Sequence, residues 1–188
     1  MKKTLRKVLP VLALVLVVAV ASVGGTIAWL TATSDTVTNT FTTSDITIEL
    51  TETTKGPYKI VPGATVDKDP TATVKSGSEK CYLYVKITNN LLIGNATVAT
   101  YDITTDWILV GESGNTKLYR YKEIVDASTG NVKKDVFTHV SYDSTAITKD
   151  NIAQLKDKTI VLQAYAHQSD NTTQDVADAA AKDWASIN

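Results

Sequence analysis

The 188-residue chain sets 19 Lys and Arg against 20 Asp and Glu, a near-neutral balance without the basic excess that nucleic-acid binding calls for. Its single cysteine, Cys81, excludes an intramolecular disulfide framework, so the fold has to rest on an apolar core.

The chain opens with Lys2, Lys3, Arg6 and Lys7, followed by an apolar run from Val8 to Val23 broken only by Pro10 and Ser22. A basic start before an apolar stretch is the make-up of a secretory leader. Thr26-Ile27-Ala28 offers a site for the signal peptidase, so residues 1–28 are read as a signal peptide, cut after Ala28, with Trp29 as the first mature residue. The competing reading is an uncleaved anchor: the 23 uncharged residues from Val8 to Leu30, at about 1.5 Å each, would cross a bilayer of about 30 Å. Gly24-Gly25 and the Thr that follows weigh against it. Both readings hold the basic end in the cytoplasm and bring the protein to the membrane only through its leader. Without that leader, residues 29–188 keep 15 Lys and Arg against 20 Asp and Glu, near −5, and are of a length for one domain with a real core.

From Thr31 to Ser44 the chain is rich in Thr and Ser, with Val37 and Phe41 as the only large apolar groups after Leu30; residues 29–43 are read as a β-prone arm. Val37, Asn39 and Phe41 share one face of that arm if it is extended, so it is suited to be added as a strand to a neighbour's sheet. Pairing within its own domain, or disorder, is the alternative.

Gly24, Gly25, Thr26, Ala28, Trp29, Asn39, Thr40, Phe41, Glu49 and Leu50 give this stretch a resemblance to the leader and first strands of the TasA/camelysin group, exported Gram-positive proteins cut by a SipW-type signal peptidase. Pro62-Gly63-Ala64-Thr65-Val66, Lys68-Asp69-Pro70-Thr71, the strand Cys81 to Ile87 and the late Ala164-Tyr165-Ala166 with Gln168 look like later parts of that pattern, which is thin from Leu91 to Lys158. The resemblance implies a SipW-type peptidase as partner, a jelly-roll, self-association into fibres of a biofilm matrix or surface layer, and, through camelysin, a metallopeptidase to be considered.

Ile46, Ile48 and Leu50 alternate with Thr47, Glu49 and Thr51, which predicts a half-buried strand. Turns are expected at Lys55-Gly56-Pro57 and Val61-Pro62-Gly63. Strands follow at Thr71 to Val74 and Tyr82 to Thr88, with Cys81, Leu83, Val85 and Ile87 on one face and the thiol of Cys81 read as a buried apolar group. Leu91 to Thr105 reads as either an edge strand or a loop. Trp107 to Val110 and Lys117 to Tyr121 form a hairpin around a Gly-containing turn, and Val136 to Val140 another strand. Thr148 to Leu155 predicts a short helix capped by Thr148. Thr159 to Ala166 is apolar on both faces, which places it centrally in a sheet. A C-terminal helix from Gln174 to Ser186, capped by Thr172 or Thr173, carries Val176, Ala180, Trp184 and Ile187 on its inner stripe and Asp175, Asp178, Lys182 and Asp183 outside, with Trp184 as its anchor.

These elements predict a mainly β fold, a β-sandwich of jelly-roll or Ig-like type with one short internal helix and a C-terminal helix. The two histidines, His139 and His167, form no His-Glu-x-x-His and, with Asp143 and Asp170 only a few residues on, converge on no ion in extended chain. Asp67-x-Asp69 and Asp102 with Asp106 lack the Gly and Glu positions of a helix-loop-helix calcium site. No catalytic residue, cofactor or metal is assigned. The reading is a secreted structural protein of the matrix or cell surface, with a camelysin-like peptidase or a monomeric surface adhesin as alternatives.

Overall fold

The computed structural model describes residues 45–53, 56 and 58–187, all within the compact unit Thr43–Asn188. The strands in chain order are β1 (Ile48–Thr51), β2 (Thr65–Asp67), β3 (Thr71–Val74), β4 (Cys81–Asn89), β5 (Leu92–Ile93) and β6 (Ala96–Thr97). They continue as β7 (Ala99–Ile103), β8 (Trp107–Ser113), β9 (Thr116–Tyr121), β10 (Val132–Asp135), β11 (Phe137–Tyr142) and β12 (Ile160–Gln168), before the helix α1 (Gln174–Ala185). They form a four-stranded antiparallel sheet ordered β12-β4-β9-β8, two three-stranded sheets ordered β1-β3-β10 and β2-β11-β7, and the small hairpin β5-β6.

The fold is mainly β and sandwich-like, and β4 shows why. Its residues Cys81, Leu83, Val85 and Ile87, all 0 % exposed, share one core with Val74 of β3 and Phe137 and Val140 of β11. Its other face, Tyr82 and Tyr84, is buried with Leu118 under α1. Three layers result: helix, four-stranded sheet, and the pair of smaller sheets. Burial pushes the Cys81 thiol up to about 11, in keeping with an unreactive core group. In the hairpin β8-β9, Trp107 pairs with Tyr121 and Leu109 with Tyr119, so the tyrosines join the Trp107 face.

Turn chemistry holds where it is described: Ala64 N donates to Val61 O over 3.0 Å and Gly63 has φ +78°, a Pro-Gly type II turn. Lys55 and Pro57 lie outside the described residues. Leu91 to Thr105 resolves into the β5-β6 hairpin and β7, fastened by Asn89, whose buried amide donates to Ala99 O over 2.8 Å.

Three expectations are corrected. The helix expected from Thr148 is a single 3-10 turn, Ile152–Leu155. Asn151, not Thr148, organises it: Asn151 Oδ1 accepts from Thr148 N and its Nδ2 donates to Ala146 O, bonds that compete with a helical backbone. The strand expected to be central, now β12, is an edge among the described residues. Its two-sided apolarity has another cause, since Ile160, Leu162 and Ala166 pack on the main core while Tyr165 packs under α1. Coverage of two faces does not require two neighbouring strands.

The third correction is to part of the inner stripe of α1, where Ile187 and Trp184 pack as expected but Val176 and Asp178 do not. Ala177, Ala181 and Ala185 are buried, Val176 is 55 % exposed, and Asp178 points inward. Small residues are needed there because Tyr82, Tyr84 and Leu118 already fill the space above the sheet. Thr173 caps the start, with its Oγ1 accepting from Val176 N. At the far end Ser186 takes φ 58°, Ile187 N donates to Lys182 O and Ser186 N to Asp183 O, a Schellman closure that folds Ile187 onto the sheet. There Ile187 Cγ2 stands 3.0 Å from where a side chain on Gly111 would begin, so any larger residue would oblige Ile187 to give by a few tenths of an ångström.

Candidate functional site

The site that geometry singles out is the outer edge of β12. Thr159 O accepts from Asn90 N over 3.0 Å, and Ser169 N donates to Lys80 O over 2.9 Å. With the register Ile160↔Asn89 to Gln168↔Cys81, the odd-numbered residues therefore carry the ladder to β4. The backbone N–H and C=O groups of Ile160, Leu162, Ala164, Ala166 and Gln168 point away from the sheet. The Gln168 carbonyl is met by His167 Nδ1 at 2.9 Å, and among the described residues no strand pairs with this edge.

Edges left to water are usually shortened, charged or bulged. The others here follow that rule. β8 is irregular between Leu109 and Gly111, β10 reads Val-Lys-Lys-Asp, and β1, β2 and β7 run for four, three and five residues. β12 runs for nine residues, Ile-Val-Leu-Gln-Ala-Tyr-Ala-His-Gln, with no Lys, Asp, Glu or Pro and no break in register. Its own sequence and register carry none of these protections.

β1, an edge of a facing sheet, lies close to β12. The chain approaches β1 from the end of the sandwich where β12 finishes: Glu79 N donates to Asp45 O, and the adjacent Lys80 O accepts from Ser169 N. The expected cleavage residues Thr26, Ala28 and Trp29, and the arm residues Val37 and Phe41, lie outside the described residues.

The expected anchor Trp184 sits at the border of the helix face. Its ring stacks on Tyr165 with centroids 5.1 Å apart and planes at 19°, and Lys86 Nζ lies 4.7 Å from its centre. Beside it, Arg120 of β9 and Asp178 of α1 form a buried pair that sequence reading missed. Arg120 Nε is 3.0 Å from Asp178 Oδ1 without an aligned N–H, and Tyr84 Oη donates to the same oxygen over 2.7 Å. Burial, reinforced by the hydrogen bond to Asp178, raises the Tyr84 phenol. The sequence signal was present in Ala177-x-x-x-Ala181-x-x-x-Ala185, a stripe hidden by weighing residues for size.

His139 joins strands instead of metals. Its Nδ1 lies 3.0 Å from Asp102 Oδ2 on β7, and its Nε2 3.4 Å from Asp67 Oδ1 on β2, so each ring nitrogen faces a carboxylate. Asp102 also accepts from the amides of Thr138 and His139 and from the Thr138 hydroxyl. The carboxylates weighed for calcium are turned to other partners: Asp69 accepts from Thr53 N, and Asp106 lies 2.5 Å from Lys122 Nζ. Asp143 closes a turn over Thr145 and Ala146. Among the described residues no three His, Cys, Asp or Glu side chains converge as a metal site, and no helix is long and apolar enough to cross a membrane. Compared with protein-family models, curated proteins and solved structures, the chain matches none of them.

Proposed function

We propose that this is an exported structural protein that assembles outside the cell by strand addition, the arm 29–43 of one copy pairing with β12 of the next. The observation that carries the reading is the nine-residue edge of β12, which has no Lys, Asp, Glu or Pro and pairs with no strand among the described residues. The direction of approach supports donation between copies. An arm reaching its own β12 has to reverse near Asp45 and then run parallel to that strand, whereas an arm from another copy is free to pair antiparallel. Such a contact is head-to-tail and need not close, so it extends into filaments.

Magnitudes assign the work within the contact. Each backbone hydrogen bond contributes about 0.5–1.5 kcal/mol net, while ordering each arm residue costs about 1–2 kcal/mol. Pairing alone does not hold the arm; burial of Val37 and Phe41, each contributing about 1.5–3 kcal/mol, tips the balance. The leader supplies the route out, with a SipW-type peptidase as the partner that the resemblance to TasA implies.

The test is protein beginning at Trp29, compared with a variant that lacks residues 29–36 and carries Phe41→Asp. Filaments seen by electron microscopy should vanish in the variant while its circular dichroism stays that of the parent domain. Filaments that survive would sink the donor-strand reading.

A further inference from the structure

A groove of about 790 Å³ opens where β12 begins, lined by Thr159 and Ile160. Apolar side chains supply most of its wall, among them Val66, Val140, Ile152, Leu155 and Ile160. Its lysines are of two kinds. Lys68 is already committed, 2.6 Å from Glu52 Oε1 and 4.1 Å from the centre of the Tyr58 ring. Lys59, Lys156 and Lys158 are exposed and pair with no carboxylate among the described residues. Among the described residues that line the groove, Asp157 is the one acidic residue set against them, which leaves an excess of two positive charges around an apolar recess. A polar pocket of about 590 Å³, with Asn90 and Gln154, shares Asp157, Lys158 and Thr159 with the groove.

We propose that this groove binds a long-chain carboxylate, with its hydrocarbon on the apolar wall and its carboxylate held by Lys158, which borders the polar pocket, and by Lys156 of the groove. Three properties select that chemistry. An apolar recess of this size falls within the range of sites for single small molecules. The uncommitted lysines call for an anion, and an ammonium donates only, so it is matched by an acceptor group. Lys158 lines both the apolar and the polar recess, which calls for a ligand that is itself divided into apolar chain and polar head. The site is independent of strand addition and stands or falls separately from it.

Dodecanoate titrated into protein beginning at Trp29, followed by calorimetry and methyl NMR, tests this, with dodecanol and dodecylammonium as chains of matched length. The expected result is one saturable site that shifts the methyls of Val66, Val140, Ile152, Leu155 and Ile160. Losing two charge-assisted contacts in K156Q/K158Q should weaken dodecanoate roughly tenfold or more. The methyl spectrum of the unliganded variant shows that it remains folded. Dodecanol binding as tightly as dodecanoate, undiminished affinity in the variant, shifts confined to other surfaces, or no saturation would each overturn the proposal. So would groove shifts that arise on raising protein concentration alone, which would assign the groove to another copy of the chain.

Discussion

Arg120 of β9 and Asp178 of α1 meet beneath the helix, Nε to Oδ1 at 3.0 Å, with the arginine side chain 7 % and the aspartate 20 % exposed. The pair fixes how α1 sits on the sheet, because Tyr84 Oη donates to the same aspartate oxygen. Asp178→Ala would leave a buried guanidinium without its counter-charge, which costs about 3 kcal/mol for a pair that water partly reaches. Replacing both residues by leucine removes the stranded charge and should recover most of that loss. Chemical denaturation of the single and double variants measures the difference; a double variant no better than the single would refute the account.

Trp184 contributes less than a buried tryptophan. Its stacking on Tyr165 and its only partly buried ring set the loss in Trp184→Ala at about 1–2 kcal/mol, below the 3–5 kcal/mol typical of core aromatics. Ala181, by contrast, is 0 % exposed against the sheet, and Ala181→Leu forces the helix outward at a cost of about 1–3 kcal/mol. Urea midpoints should rank Ala181→Leu at least as damaging as Trp184→Ala; the reverse order by a wide margin would restore Trp184 as the main anchor.

The strands were legible because alternation is a local signal. Ile46, Ile48 and Leu50 turn inward as their spacing predicts, and Cys81, Leu83, Val85 and Ile87 form one buried face. What could not be read locally depended on partners far along the chain. β12 read as central although its second apolar face meets a helix and, among the described residues, it has one neighbouring strand, and Asp178 was placed in solvent because its partner Arg120 lies 58 residues away on another strand. The His139 cluster escaped for the same reason: Asp67 and Asp102 reach it only through the order β2-β11-β7.

That cluster makes stability depend on pH in a defined direction. The hydrogen bond with Asp102 raises His139 above its ordinary 6.5, against a smaller effect of desolvation. Desolvation works to raise Asp102, ordinarily 3.8, but the hydrogen bonds from Thr138 and His139 overcome it and hold that carboxyl well below its usual range. A raised histidine stabilises fully below 6.5 and loses its contribution as pH rises through the folded value; a lowered aspartate stabilises fully above 3.8 and loses its contribution as pH falls. The cluster therefore helps most between these values. Thermal midpoints of His139→Gln should lose part of the decline seen on the alkaline side, an effect that shrinks in salt because the pair is exposed. A decline unchanged by the substitution would show that other groups cause it.

The assembly reading makes a positional prediction along β12. Proline removes one backbone N–H, so its effect depends on which way that N–H points. At Ala164 the N–H points outward, away from β4, because Thr159 and Ser169 place the ladder on odd-numbered residues. Ala164→Pro deletes a donor that an incoming arm needs and spares the bonds to β4, a substitution that edge strands tolerate. At Tyr165 the N–H belongs to the ladder with Tyr84, and Tyr165→Pro breaks the sheet beside the ring that Trp184 covers. Ala164→Pro should thus abolish filaments with a thermal midpoint close to the parent's, while Tyr165→Pro lowers the midpoint sharply. Electron microscopy alongside thermal unfolding separates the two effects. A folded Ala164→Pro protein that still makes filaments would mean that the contact between copies lies elsewhere than the β12 edge.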